Sequence, residues 1–203
     1  TLVEGYSATK PDKSSLYAKD ALYLARQQEN FKAEAKALNY LGINYYQQGD
    51  HEKALEYYQK ALKIMLRLQD KIGIANLMRK IGITYVNLNE YAKSLFYFQK
   101  THNIYEDLGY KSEEAKALTD IGTVYFYWEK NPEALDYYKR ALDLYTELDN
   151  KQGIADLNNN IGNVHEVSRD YEKALKFYKK SFELNLQLNN EFEIAKLYNS
   201  LGN

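Results

Sequence analysis

A glycine returns every forty residues in this chain. Leu41-Gly42 is followed by Tyr45, Ile81-Gly82 by Tyr85, Ile121-Gly122 by Tyr125 and Ile161-Gly162 by His165, with a last trace at Leu201-Gly202. A fixed self-similar period of roughly 20–50 residues marks stacked repeats, in which each small unit buries its apolar face only against its neighbours. The period constrains the fold more than length does. A chain of 203 residues would fit one ordinary domain, but a repeat array grows by adding units and not by enlarging one core.

Inside the period the spacing is helical. In the unit 35–74, Ala35, Leu38, Leu41, Gly42 and Tyr45 fall on one face of a first helix at steps of three and four. Gln48-Gly49-Asp50 breaks that helix, the glycine as a stop and Asp50 as the cap of the second helix. The second helix presents Ala54, Tyr58, Ala61, Met65 and Leu68, and Leu55, Leu62 and Ile64 widen the stripe so that it must touch both its partner and a neighbouring unit. Asp70 is placed to cap the first helix of the adjoining unit.

The unit 75–114 repeats the frame with Ala75, Met78, Ile81, Gly82, Tyr85, then Ser94, Phe98, Thr101, Tyr105 and Leu108. The unit 115–154 has Ala115, Leu118, Ile121, Gly122, Tyr125, then Ala134, Tyr138, Ala141, Tyr145 and Leu148. There Asn131-Pro132 reads as an N-cap followed by proline at the first helical position. The unit 155–194 has Ala155, Asn158, Ile161, Gly162, His165, then Ala174, Tyr178, Ser181 and Leu188, with Asp170 as cap. Residues 1–34 form a partial leading repeat whose second helix covers about 11–30, opening at Pro11-Asp12 and carrying Leu16, Ala18, Ala21, Leu22, Leu24 and Ala25. Residues 195–203, with Ala195, Tyr198, Leu201 and Gly202, begin an incomplete fifth. No strand-period segment or linker interrupts the pattern, and the only prolines are Pro11 and Pro132. The expectation is one continuous all-α domain.

At these residues the sequence resembles the tetratricopeptide repeat family. An apolar residue, Leu-Gly and Tyr stand on one helix, and Ala, an aromatic and Ala on the next. Gly42 and Ala54 read as the small pair that lets two antiparallel helices close. Two departures stand out. The period is forty rather than about thirty-four. Leu66, Glu106, Thr146 and Leu186 occupy the place of the family's usual proline. The longer variant resembles the repeats of kinesin light chain and of bacterial regulators with tetratricopeptide sensor regions, whose junctions are similar to Asp70–Ala75 and Asn150–Ala155. The resemblance implies a right-handed α-solenoid of antiparallel helix pairs, with the first helices lining its concave side.

Composition removes several functional classes. Hydrophobic residues make 45% and charged residues 27%, as in a folded, soluble chain. The 21 tyrosines, against one Trp and seven Phe, suit elements that are each half covered, with the ring buried and the hydroxyl wet. A net charge of −1 gives no electrostatic footprint for nucleic acid. Cysteine is absent, which removes disulfides and thiolate chemistry. No apolar run approaches the roughly 20 residues that span a bilayer, and no basic-then-apolar leader is visible at Thr1. These features point to the cytoplasm, with the periplasm open to a sensor fragment.

His51, His102 and His165 occupy different frame positions with no carboxylate recurring at ligand spacing, so structural or surface roles are expected and no metal. The lone glycines pack helices and are not phosphate loops. Glu113-Glu114 lies at a helix start, where carboxylates favour the dipole. No catalytic constellation and no cofactor motif is found, and an enzyme is not expected.

The face of the first helices beside the core stripe carries ladders at the same period. One rung is Asn39, Arg79, Thr119, Asn159 and Asn199; the next is Ile43, Ile83, Thr123 and Asn163. A third is Tyr46, Val86, Phe126 and Glu166, beside Gln47, Asn87, Tyr127 and Val167. Lys36, Asn76, Lys116, Asp156 and Lys196 edge the groove. Amide side chains can donate to and accept from an extended peptide backbone, while apolar rungs take anchor side chains. The groove grades from apolar and cationic (Arg79, Lys80, Lys116) to Asn-rich and mildly acidic. The pairs Asn39/Ile43, Arg79/Ile83, Thr119/Thr123 and Asn159/Asn163 lack the Lys and Asn of the family's carboxylate clamp, so chaperone-tail binding does not carry over.

The expected function is a non-catalytic scaffold that binds a protein or extended peptide in this groove, as the regulatory or sensory part of a larger protein. Ile194, Leu197, Tyr198 and Leu201 with no second helix over them also suggest a self-assembly module acting through exposed ends. A third expectation is a sensor domain controlling a kinase, cyclase or DNA-binding output outside these residues.

Overall fold

The forty-residue period resolves into two helices of twenty-residue pitch. The structure, a computed structural model, describes residues 11–194, with side chains from 14 to 194. The expected fifth first helix at Ala195–Gly202, with Lys196 and Asn199, and the first ten residues lie outside it. Nine helices run in chain order among the described residues, α1 Pro11–Gln27, α2 Phe31–Gln47, α3 His51–Arg67, α4 Lys71–Asn87, α5 Tyr91–Leu108, α6 Lys111–Tyr127, α7 Asn131–Glu147, α8 Lys151–Val167 and α9 Tyr171–Gln187, and residues 191–194 are helical as well. No strand occurs among these residues. The architecture is an all-α solenoid of antiparallel helix pairs.

One junction design serves every turn. Gly49 N–H donates to the Tyr46 carbonyl at 3.0 Å and Asp50 N–H to the Tyr45 carbonyl at 2.9 Å. This is the Schellman pattern, which satisfies carbonyls the helix leaves without partners. The central residue must adopt positive φ. Gly49 and Gly109 do so at +80° and +69°, but Glu29, Gln69, Asn89, Glu129, Asp149, Arg169 and Asn189 hold the same conformation without being glycine. The last junction residue doubles as the cap of the next helix. Asp50, Asp70 and Asp170 accept from the backbone N–H of Lys53, Gly73 and Lys173, and Asn30 and Asn150 do the same for Ala33 and Gly153.

The expected cap at Asn131 is corrected. Lys130 is the cap residue and makes no side-chain capping bond, so Asn131 is the first helical residue and Pro132 the second. The Schellman turn fixes where α7 starts, and side-chain preference yields to it. Asn131 Nδ2 instead donates to Ser168 Oγ at 3.1 Å. Leu68, Leu148 and Leu188, expected in the buried stripes, cap helix C-termini and stay exposed. In α1, Ala18 and Ala25 are buried while Leu16, Ala21 and Leu24 are exposed.

The chain forms two compact units, Thr1–Ile104 and Tyr105–Asn203. In the first, Ala18 of α1 packs with Leu41, and the main core holds Leu38, Leu55, Tyr58, Leu62, Met65, Leu77 and Ile81. In the second, Leu118, Tyr138, Tyr145, Leu157, Ile161 and Val164 make the core, with Ala174 and Tyr178 beyond.

Two packing expectations change. The frame glycines meet aromatic rings: a Cβ on Gly42 would lie 2.5 Å from the Tyr58 ring, on Gly82 2.7 Å from Phe98, on Gly122 2.6 Å from Tyr138 and on Gly162 2.5 Å from Tyr178. The small partner is close as well, since Ser94 Oγ, at the frame position of Ala54, donates to the Gly82 carbonyl at 2.9 Å. Glycine therefore makes room for a ring as much as for a second small residue. In addition, Tyr45, Tyr85 and Tyr125 are only half-buried, whereas Asn44, Thr84 and Val124 next to them are buried. A first helix packed against second helices on both sides buries a wider arc than one stripe.

Candidate functional site

The ladder residues sit on first helices, where everything not facing a second helix is left partly open. In the first unit α2 presents Asn39, Ile43 and Tyr46 and α4 presents Arg79, Ile83 and Val86, all half-buried. The two helices meet on this face: Asn87 Nδ2 donates to the Tyr46 hydroxyl at 2.8 Å. The Tyr46 ring also lies 5.3 Å from that of His51. Asn39 Oδ1 is shielded from solvent with no hydrogen-bond partner, which turns that amide inward. Beside Arg79, the Lys80 ammonium is held below its ordinary pKa by burial and then by the neighbouring guanidinium. The sequence of α4 contains no carboxylate, so this stretch favours anionic or neutral groups.

In the second unit, α6 presents Lys116, Thr119, Thr123 and Phe126, and α8 presents Asn159, Asn163 and Glu166. These two helices also touch directly. Their polar groups are largely engaged already. Thr119 Oγ1 donates to the Ala115 carbonyl at 2.8 Å and Thr123 Oγ1 to the Thr119 carbonyl at 2.9 Å. The Tyr178 hydroxyl reaches Asn163 Oδ1 at 2.8 Å and Glu166 Oε2 at 2.5 Å. Lys116 pairs with Glu113 at 3.7 Å. The two threonines thus offer methyl groups, while Asn163 and Glu166 hold the core tyrosine upright. Asn159 and Phe126 stay half-open on the same face.

The buried hydroxyls show the same dependence. Burial pushes Tyr138 up to about 12, opposed by its bond with Thr123. Tyr58 and Tyr178 are raised by burial too, Tyr178 further by the Glu166 carboxylate.

Sequence reasoning missed a second periodic feature. Tyr45–Tyr57, Tyr85–Tyr97, Tyr125–Tyr137 and His165–Phe177 stack at centroid distances of 5.2, 5.6, 5.4 and 5.5 Å. A cation lies over the second-helix ring in three of them, Lys60 on Tyr57, Arg140 on Tyr137 and Lys180 on Phe177. The signal was legible at 57, 97, 137 and 177, each an aromatic residue. His165 therefore does the packing work of the tyrosine it replaces. His102 is buried, and His51 Nδ1 is shielded without a partner.

The tetratricopeptide repeat description matches residues 12–67, 33–107, 73–147 and 155–188, and the chain belongs to that family. Among solved structures it is similar to BtubC (BKLC) from P. vanneervenii, with TM-score 0.82 and 18% identity over 96% of this chain and 82% of that one. A putative kinesin light chain of Podosopora anserina with nearly identical TPR-like repeats gives 0.79 at 8% identity, over 93% of each chain. The Rap conjugation gene regulator of plasmid pLS20, in complex with the Phr* peptide, gives 0.69 at 16% identity, over 86% of this chain and 53% of that one. No curated protein matches the chain. These likenesses establish the fold. Among the described residues no helix is long and apolar enough to cross a membrane.

Proposed function

We propose that the chain is a non-catalytic scaffold that binds an extended peptide or a protein segment along the exposed faces of its first helices. The observation that carries this reading is the paired face in each unit, with half-buried Ile43, Ile83 and Phe126 flanked by amides and cations. Such a surface offers anchor pockets and backbone partners without any group poised for chemistry. The pLS20 Rap regulator, solved with a peptide, supports it by fold likeness. A regulatory role within a longer protein is the finer form of the same reading.

A peptide-display selection on the purified chain, followed by anisotropy titration of the enriched peptides, tests it. Ile83→Asp and Arg79→Ala with Asn159→Ala should each weaken binding roughly tenfold or more, the equivalent of about 1.4 kcal/mol, with unchanged melting temperature. Peptides that bind these variants as well as the parent would overturn the groove.

A further inference from the structure

The second helices of each unit border clefts that the first-helix reading leaves unused. In the first unit Phe31, Ile64, Arg67 and Leu68 enclose about 260 Å³. In the second unit a cleft of about 280 Å³ is walled by Glu114, Leu118, Arg140, Asp143 and Leu144. Forty residues on, the corresponding cleft reaches about 330 Å³ between α7 and α9, over the first half of α8.

This last cleft differs from the others in chemistry. Leu142, Ile154, Phe177 and Leu184 form the apolar part of its wall, the polar Thr146 and Gln187 complete it, and Asn158 lies at its floor. The frame position of Asn158 is Leu38, Met78 and Leu118 in the other units. Asn158 is 3% exposed, and its one side-chain hydrogen bond among the described residues is Nδ2 to the Ile154 carbonyl at 2.7 Å. A carbonyl can accept only from the amide nitrogen, so the assignment of N and O is fixed and Oδ1 is left to the cleft. Oδ1 is not among the fully shielded side-chain atoms that lack a partner, so it faces the open space of the cleft, where a donor can reach it. The other units place an apolar side chain here, which would fill the space and offers no such acceptor.

The shape and polarity define the occupant. The volume sits at the bottom of the range for ligand pockets, roughly 300–1,000 Å³, which suits one aromatic side chain rather than a cofactor. The apolar part of the wall suits a ring, and Oδ1 can accept from a donor at its tip. Lys180 and Glu183 at the rim oppose each other in sign and select no net charge. A neutral ring with a terminal hydroxyl is a tyrosine side chain, a common interface anchor.

We propose that the cleft between α7, α8 and α9 is a docking pocket for a tyrosine of a protein partner, with the phenol donating to Asn158 Oδ1. The site lies on different helix faces from the peptide groove and stands or falls independently of it.

The test titrates the isotope-labelled chain with N-acetyl-L-tyrosinamide and, separately, N-acetyl-L-phenylalaninamide, following side-chain resonances by NMR. The tyrosine probe should shift the Asn158 amide and the Ile154 and Leu184 methyls saturably, and the phenylalanine probe should bind several-fold more weakly. Asn158→Leu should abolish both responses while the melting temperature holds or rises. Absence of saturable shifts, equal binding of the two probes, or retained binding by Asn158→Leu would each overturn the pocket. Shifts at the same three residues on raising protein concentration, with no probe added, would overturn the foreign partner in favour of a second copy of this chain.

Discussion

Gly122 has no room for even one methyl group: a Cβ there would lie 2.6 Å from the Tyr138 ring and 3.3 Å from the Ala134 carbonyl. Overpacking a core in this way costs about 1–3 kcal/mol, so Gly122→Ala should lower stability by that amount in urea melts. A loss no greater than that of a solvent-exposed substitution would show that the ring can step aside. The same ring sets an alkaline limit. Its folded pKa of about 12 exceeds the ordinary value of 10.0, so its contribution is full below pH 10 and is withdrawn as pH rises towards 12. Melting temperature should therefore fall across that interval, and Tyr138→Phe should flatten the fall.

Helix ends are the element that repeats most faithfully, and their energetics separate backbone from side chain. Glu129 holds φ at +60°, a conformation costing a non-glycine residue about 1–2 kcal/mol. Glu129→Gly should therefore stabilise the chain, less the extra chain entropy glycine loses on folding, and Gly49→Ala should destabilise it. Thermal melts of the two variants should move in opposite directions. At the cap position, Asn150→Ala removes the acceptor for Gly153 N–H and should cost about 1 kcal/mol in the same assay. The aspartate caps add an acid limit. Asp50 and Asp170 are held below the ordinary carboxylate value first by their side-chain hydrogen bonds to Lys53 and Lys173. Their contribution is present above pH 3.8, the unperturbed value, and is lost as pH falls through the lowered one, so amide exchange at Lys53 and Lys173 should accelerate there.

At the scale of the molecule, a repeat array is governed by neighbour contacts and not by one centre. Residues 31–70 make one helix pair between equivalent junctions, since Asn30 and Asp70 both close a Schellman turn and cap a helix. Deleting them should leave a helical chain that still melts cooperatively, at a lower temperature. Loss of the helical circular-dichroism signal would show that the array depends on that pair specifically.

The sequence by itself determined the period, the class of fold and the helix junctions, because a forty-residue repeat of small, aromatic and capping residues leaves few other solutions. Gly49, Asp50, Asp70 and Asp170 could be placed because turn and cap chemistry is local. What lay across space was decided by the tertiary structure. Asn131 lost its cap to a backbone turn, and the frame glycines turned out to seat rings. Tyr45 traded burial with Asn44 because two flanking helices, not one, cover α2. The ladder residues were legible as a face, but their availability was not: only packing showed that Asn163 and Glu166 are occupied by the Tyr178 hydroxyl. Asn158 read as one polar residue in an apolar stripe. It became the floor of a cleft once α7 and α9 stood on either side of it, since the side chains that wall a cavity are distant in the chain.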